Sequence, residues 1–363
     1  MAPRHVLVTG ATGFVGASLV LNLIRTTDDR VTCLVRPSRD ADALARLRSN
    51  LDAAMSGYGD EDLAPEVDAR VGEVVGDLTD PSLPDLADTI DPVDSVWHVA
   101  ASLKYQNRDE VEIRATNVSG TADVVALAQA AGAHELNYVS TAYVAGDRSG
   151  RILEGPVPPG TGHNNQYERS KIDAERLVES SGLHHRIFRP SIVIGHSQTF
   201  AADSSMGVFG FLKEMSRFVR AMPDPSELPP ITICAGSETA LNFIPVDLVT
   251  SSAVEIAEKN TTDHHFHLTN GHEAPVVESI TVACEQIGLP TPEFTDDAST
   301  LNAIDKRLNR YLDFYLPYIA GHRVFDRTQT DAVVGDRCDF SLHHEVLVRI
   351  VDTWIDSSAQ LAG

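Results

Sequence analysis

Near the start of the chain, Val6-Leu7-Val8-Thr9-Gly10-Ala11-Thr12-Gly13-Phe14-Val15-Gly16 constrains the fold more than any other stretch. An apolar run that suits a buried strand meets three glycines spaced G-x-x-G-x-x-G, and a helical pattern follows. Each glycine has its own reason. Gly10 permits a tight turn, Gly13 lets backbone approach a pyrophosphate, and Gly16 lets the helix pack close to the strand. The helix start offers free N–H groups and the positive end of its dipole to phosphates. Thr12, Phe14 and Val15 lie between the glycines and are further contact candidates. Plain structural turns can carry the same spacing; the strand before and the helix after favour a dinucleotide site.

The rest of the first half alternates short apolar runs with helical periodicity. Strands are expected at His5–Thr9, Arg30–Val35, 69–75, 95–100, 135–140 and from Arg186 to Phe188. Helices are expected at 16–25, 40–55, 117–131 and 167–180. Such alternation implies right-handed βαβ units and a parallel sheet covered on both faces. After about Gly195 the pattern loosens into an apolar stretch, Met206–Met222, and a proline-rich break, Pro223–Pro230. Residues 242–259 return to strand-then-helix character and 264–269 suit one more strand. Helical patterns follow at 276–287, 301–316 and 343–357. The expected fold is α/β: a Rossmann-type doubly wound parallel sheet with a smaller, mainly helical C-terminal substrate-binding region. Residues 1–198, with 240–270 returning to them, form the dinucleotide domain. Residues 199–239 and 271–363 form the substrate region.

The residue after the second strand selects between cofactors. An acidic side chain there would hold the ribose 2′-hydroxyl of NAD, but the sequence reads Leu34-Val35-Arg36-Pro37. A guanidinium pairs with a 2′-phosphate and stacks on adenine, so NADP(H) is expected, with Arg39 a second candidate. An ordinary solvated arginine is the plainer alternative. Gly76-Asp77-Leu78 follows the third strand, where Asp77 can accept from the adenine amino group or simply shape a turn. Ala100-Ala101-Ser102 follows the fourth, and small residues there let ribose and diphosphate pass near the backbone.

Tyr167-Glu168-Arg169-Ser170-Lys171 opens a helical pattern and sets Tyr167 and Lys171 on one face. An ammonium beside a phenol lowers a pKa that starts near 10, which would let Tyr167 exchange protons near neutral pH. Tyr138-Val139-Ser140-Thr141-Ala142-Tyr143-Val144 ends the fifth strand at the carboxyl edge of the sheet, where open α/β sheets bind ligands. A hydroxyl there can polarise a substrate carbonyl. Thr141 is the first choice and Ser140 the second.

These stretches resemble the extended short-chain dehydrogenase/reductase superfamily. They are most similar to its thioester-reductase and fatty acyl-CoA reductase group, the male-sterility-type NAD-binding domain. Further carriers of the likeness are His98-Val99-Ala100-Ala101, Arg114 to Thr121, Arg189-Pro190-Ser191-Ile192-Val193 and Phe243-Ile244-Pro245-Val246-Asp247. The resemblance covers about residues 5–270. It implies that Thr141 assists, Tyr167 donates the proton and Lys171 tunes it and holds the nicotinamide ribose. Pro190, Ser191, Ile192 and Val193 would face the cofactor. Asn117 resembles the residue that supports Lys171 through water; a helix N-cap is the other reading. Where the group usually has Asn after strand four, this chain has Val99-Ala100-Ala101. The implied reaction is hydride transfer to a thioester carbonyl, giving an aldehyde or alcohol. The acyl group would arrive as acyl-CoA or on an acyl carrier protein.

The net charge of −23 argues against nucleic acid and anionic membranes as partners. No run approaches the roughly 20 apolar residues of a membrane span. The apolar stretch from Val6 to Ile24 is interrupted by glycines and threonines and reads as fold rather than as a signal peptide. Cys33, Cys234, Cys284 and Cys338 show no metal or disulfide spacing, so a cytoplasmic protein is expected, with no metal. A homo-oligomer is compatible with the chain. Met206–Met222 suits an acyl tunnel or a core helix. Lys306, Arg307 and Arg310 suit CoA phosphates, an acidic carrier or a solvated helix face. His163, His184 and His185 receive no role. Two other functions remain open at this point: reduction of a small ketone, steroid-like alcohol or nucleotide sugar, and a non-catalytic NADP-binding regulator.

Overall fold

The computed structural model describes residues 3–38, 42–202, 208–222, 229–236, 238–259, 261–319 and 321–360. Arg39, Met206 and most of the proline-rich break lie outside the described residues. Seven strands form the central sheet: β1 (His5–Thr9), β2 (Arg30–Val35), β3 (Val71–Val75), β4 (Ser95–His98), β5 (Glu135–Val139), β6 (His184–Phe188) and β7 (His265–Phe266). Their order is β7-β6-β5-β4-β1-β2-β3 and every neighbouring pair is parallel. The order reverses between β1 and β4, and the crevice beyond their carboxyl ends is where such sheets hold ligands.

Side-chain alternation explains the two covered faces. Val6 and Val8 join one core with α1 (Phe14–Thr26), α2 (Ala43–Tyr58) and a helix at Val246–Glu258. Leu7, between them, joins the opposite core with α3 (Gly120–Ala130) and α4 (Gln166–Glu179) through Val124, Leu127, Ala174 and Val178. Successive residues of the strand thus face opposite cores. A buried ion pair ties α4 to the end of β6: Arg189 donates to Glu175 through Nε at 2.9 Å and NH2 at 2.7 Å. Bidentate geometry offsets the cost of burying both charges.

A third core lies beyond the sheet. It joins α5 (Val208–Arg220), α7 (Val276–Gln286), α8 (Ala303–Tyr311) and α9 (His344–Gln360), with α6 denoting Val246–Glu258. On α5, Phe209, Phe211, Leu212, Met215 and Phe218 are buried, so the described part of the Met/Phe-rich stretch is a core helix. Among the described residues no helix is long and apolar enough to cross a membrane.

Several boundaries differ from the sequence pattern, for local reasons. The third strand starts at Val71 because Ala64–Arg70 forms a short helix with a proline in its first turn. The fourth ends at His98 because the Val99 and Ala100 amides turn to the Thr9 hydroxyl, at 3.2 and 3.3 Å. The helix expected from Asn117 begins earlier, at Glu110, and passes a π turn at Ala115–Ser119 before α3.

Candidate active site

A cavity of about 790 Å³ opens over the carboxyl edge of the sheet, from the glycine loop to the C-terminal helices. Gly10 sits at φ +80°, and a Cβ there would lie 2.6 Å from the Ala100 amide nitrogen. A Cβ on Gly16 would overlap the Gly10 carbonyl oxygen. The turn and the helix start are therefore compressed against each other, which only glycine allows. Gly13 caps α1 with no side-chain hydrogen bond, so the first N–H groups of the helix remain for a ligand. The base of the crevice is pinned by His98: Nδ1 meets Thr9 Oγ1 at 2.7 Å and Nε2 meets Thr121 Oγ1 at 2.9 Å. Burial, then the Lys171 charge, pulls the His98 imidazole down to about 3, so it stays neutral.

Arg36 reaches the cavity wall at the end of β2, and Arg46 of α2 joins it there. Arg46 donates to the Arg36 carbonyl at 2.7 Å, and neither guanidinium pairs with a carboxylate among the described residues. Asp77 lines the same wall while accepting from the Thr79 amide at 2.9 Å and its hydroxyl at 2.8 Å.

Thr141, Tyr167 and Lys171 are walls of this one cavity. Thr141 caps the short turn Ala142–Ala145, its Oγ1 accepting from the Tyr143 amide at 3.2 Å. Ser140 is buried and its hydroxyl has no partner among the described residues. Lys171 is 1% exposed; its ammonium donates to the Val139 carbonyl at 2.7 Å and lies 4.3 Å from the centre of the Tyr138 ring. Burial pulls it down to about 7, against the opposing effect of Glu175. For Tyr167 the sequence suggested a lowered phenol. Here burial, then the Glu168 charge, pushes it above the usual tyrosine range, while the Lys171 ammonium is engaged with Val139. A neutral phenol is a proton donor.

Gly10, Thr12, Gly13, Phe14, Val15, Gly16, Leu78, Ala100, Ala101, Pro190, Ser191, Ile192 and Val193 line the cavity as well. Ser102 and Asn117 do not: they bond to each other behind the wall. Asn117 Oδ1 accepts from the Ser102 amide at 2.7 Å, and Nδ2 donates to the Ser102 carbonyl at 3.0 Å and to Ser170 Oγ at 2.9 Å. Asn117 is not an N-cap; it brackets the loop after β4 to the helix that carries Lys171.

Sequence reasoning missed Arg46 and the aromatic wall from the C-terminal helices, Phe314, Tyr315 and Tyr318. The Tyr318 hydroxyl donates to Glu168 at 2.6 Å and accepts from the N-cap side chain of Asn165 at 2.7 Å. It is thus latched to the first turn of α4, 150 residues away in sequence, with no local signal to announce it. Charges partition along the cavity. Arg36, Arg46, Asp77, Glu112 and Lys171 come from the first half of the chain; no described lining residue from Pro190 onward is charged. His163, His184 and His185 are not among its walls, and no His/Cys/Asp/Glu group suited to a metal occurs among the described residues.

Residues 8–253 match the male sterility protein family of NAD-binding domains. The chain belongs to that family. It is 28% identical over 305 residues to a linear gramicidin synthase of Brevibacillus parabrevis, covering 80% of this chain and 6% of that protein. It is 29% identical over 313 residues to a glycine betaine reductase of Emericella nidulans, covering 81% of this chain and 23% of that protein. The chain thus spans a small part of these relatives. Among solved structures, the terminal R domain from the myxalamid PKS-NRPS biosynthetic pathway superposes with a TM-score of 0.76 at 26% identity, covering 99% of this chain and 92% of that one. Sheet order, glycine loop and family together make this a nicotinamide-dinucleotide-binding protein of the extended short-chain dehydrogenase/reductase type.

Proposed function

We propose that the protein is an oxidoreductase that uses NADPH to reduce an acyl thioester, borne on CoA or a carrier protein, to an aldehyde or alcohol. Residues 1–198 with 240–270 serve as the dinucleotide domain; residues 199–239 and 271–363 serve the substrate. The observation that carries this reading is that Thr141, Tyr167 and Lys171 wall the same cavity as the glycine loop.

The glycine loop and the start of α1 would hold the pyrophosphate: Gly10, Gly13 and Gly16 bring backbone close and no side chain caps the first N–H groups. Arg36 and Arg46, two cations on the cavity wall without carboxylate partners among the described residues, suit a 2′-phosphate, which is why NADPH is preferred over NADH. The orphaned Ser140 hydroxyl fits a polar ligand passing over the sheet edge. When bound, the nicotinamide supplies the hydride. Thr141 and Tyr167 offer hydroxyls to the thioester oxygen as charge develops there. Tyr167, neutral at ordinary pH, gives its proton to that oxygen. The resulting hemithioacetal breaks its C–S bond, releasing thiol and aldehyde. Lys171, a wall of the same cavity, when protonated offsets the charge of the phenolate that forms. Asn117 positions Ser170 and α4 rather than touching substrate.

A nucleotide sugar is disfavoured as the substrate, since its diphosphate needs cations and the described cavity wall beyond Pro190 has none. The test is NADPH oxidation, followed at the nicotinamide absorbance band, with an acyl-CoA series. Tyr167→Phe is expected to abolish turnover and spare dinucleotide binding. Turnover of ketones or nucleotide sugars with no thioester activity would overturn the reading.

A further inference from the structure

We infer that the exposed faces of α5 and α8 form a docking surface for an acidic carrier protein, which delivers the acyl group on a phosphopantetheine arm. This rests on the thioester reading and decides between its two donors.

The chain carries 52 acidic and 29 basic residues, so a cationic surface stands out. On α5, Lys213, Arg217 and Arg220 recur at i, i+4 and i+7 and are exposed, while Leu212, Met215 and Phe218 bury the other face. On α8, Lys306, Arg307 and Arg310 are exposed, while Leu308 and Asn309 turn inward. The helices meet: the Phe218 and Tyr311 rings pack edge to face at 6.0 Å, and Arg307 donates to the Ala221 carbonyl at 3.5 Å. The acids on these helices are both engaged. Glu214 pairs with Arg217, and buried Asp305 accepts from the Thr232 amide at 3.0 Å. Lys213, Arg220, Lys306, Arg307 and Arg310 pair with no carboxylate among the described residues. Arg217, Arg220 and Arg310 sit in last turns, where a cation suits the helix dipole. Lys306 and Arg307 lie in the middle of α8, outside its last turn, so the helix dipole does not account for them.

Shape selects the partner. None of the six cations lines the main cavity or the hollow around Arg327 and Asp339, and all six are exposed. A row of cations on the outside of two packed helices matches an extended acidic surface instead. The remaining surface, strongly negative, repels an acidic partner and so orients it. The same segments wall the cavity from within, through Phe211 on α5 and through Phe314 and Tyr315 just past α8. A carrier seated there holds its arm beside the site.

The test compares one acyl group on an acidic acyl carrier protein and on CoA, with the wild type and with Lys306→Glu/Arg307→Glu and Arg217→Glu/Arg220→Glu. For the carrier thioester, kcat/KM should fall about 10- to 100-fold at low salt through KM, with kcat kept. Acyl-CoA kinetics should be unchanged. Raising ionic strength should erode the wild-type advantage and leave the variants flat. Equal losses with both thioesters, losses with CoA alone, or no loss would each overturn the proposal. Fluorescence anisotropy of the labelled holo-carrier reads the surface without turnover. Length-matched glutamine variants check that any loss follows charge rather than folding. If the wild type binds the carrier but reduces no thioester, the functional reading fails and the surface stands.

Discussion

Replacing Lys171 by methionine should stabilise the protein near neutral pH while abolishing turnover. The ammonium is 1% exposed, and burial takes its pKa from 10.5 to about 7. The folded value is the depressed one, so the unfolded chain binds this proton more tightly. Above pH 10.5 the group is neutral in both states and costs nothing. As pH falls from 10.5 toward 7 the penalty grows, and below 7 it is full. The gap of 3.5 units, 10.5 minus 7, corresponds to about 5 kcal/mol. Methionine removes that penalty and also removes the 2.7 Å bond to the Val139 carbonyl and the contact with the Tyr138 ring. Those losses cost about 2–3 kcal/mol together. The variant should therefore be more stable by about 2 kcal/mol at pH 6.5. Unfolding entropy of about 2.1 cal/mol/K per residue over a chain of this length makes that a Tm rise of about 3 °C. At pH 10.5 the penalty is gone and the folded amine is neutral, so only its bond to the Val139 carbonyl is lost, about 1 kcal/mol, and the order reverses. Urea unfolding of both proteins from pH 6.5 to 10.5 tests this crossover. A variant less stable than the wild type at pH 6.5, or a difference independent of pH, refutes the reasoning.

Arg36→Ala/Arg46→Ala should raise KM for NADPH about 100-fold and leave KM for NADH nearly unchanged, since two charge-assisted bonds are lost only with the 2′-phosphate; steady-state kinetics with both dinucleotides reads this. Gly16→Ala forces a methyl into the Gly10 carbonyl and should remove dinucleotide binding, measured by titration of intrinsic fluorescence. Tyr318→Phe keeps the ring against Tyr143, at 4.9 Å between centroids, and takes its donor from buried Glu168. With α4 less firmly held, kcat should drop about 10-fold while KM stays, and a wild-type kcat would show that the latch positions nothing.

How far the sequence could be read depends on which residues act locally. Gly10, Gly13 and Gly16 declare a strand–turn–helix because their constraint spans only seven positions. Tyr167 and Lys171 are legible because one helical turn joins them. Arg46 was passed over because its neighbour in space, Arg36, is ten positions away, and only the packing of α2 against the strand end brings them together. The N-cap reading of Asn117 fails because the π turn places its amide between Ser102 and Ser170. A one-residue widening of a helix turn rotates a side chain, and no periodicity reports it.

The sequence alone determined the parallel sheet, the phosphate cradle and the tyrosine–lysine face, because each follows from spacing along one or two elements. Tertiary structure decided the rest. The aromatic wall from 314–318, the Tyr318–Glu168 latch and the cationic row across α5 and α8 join segments far apart in sequence, 86 residues for the Arg307–Ala221 bond and 150 for the latch. Contacts at that separation depend on how whole helices pack, and helix packing reads the summed shape of a core rather than any motif.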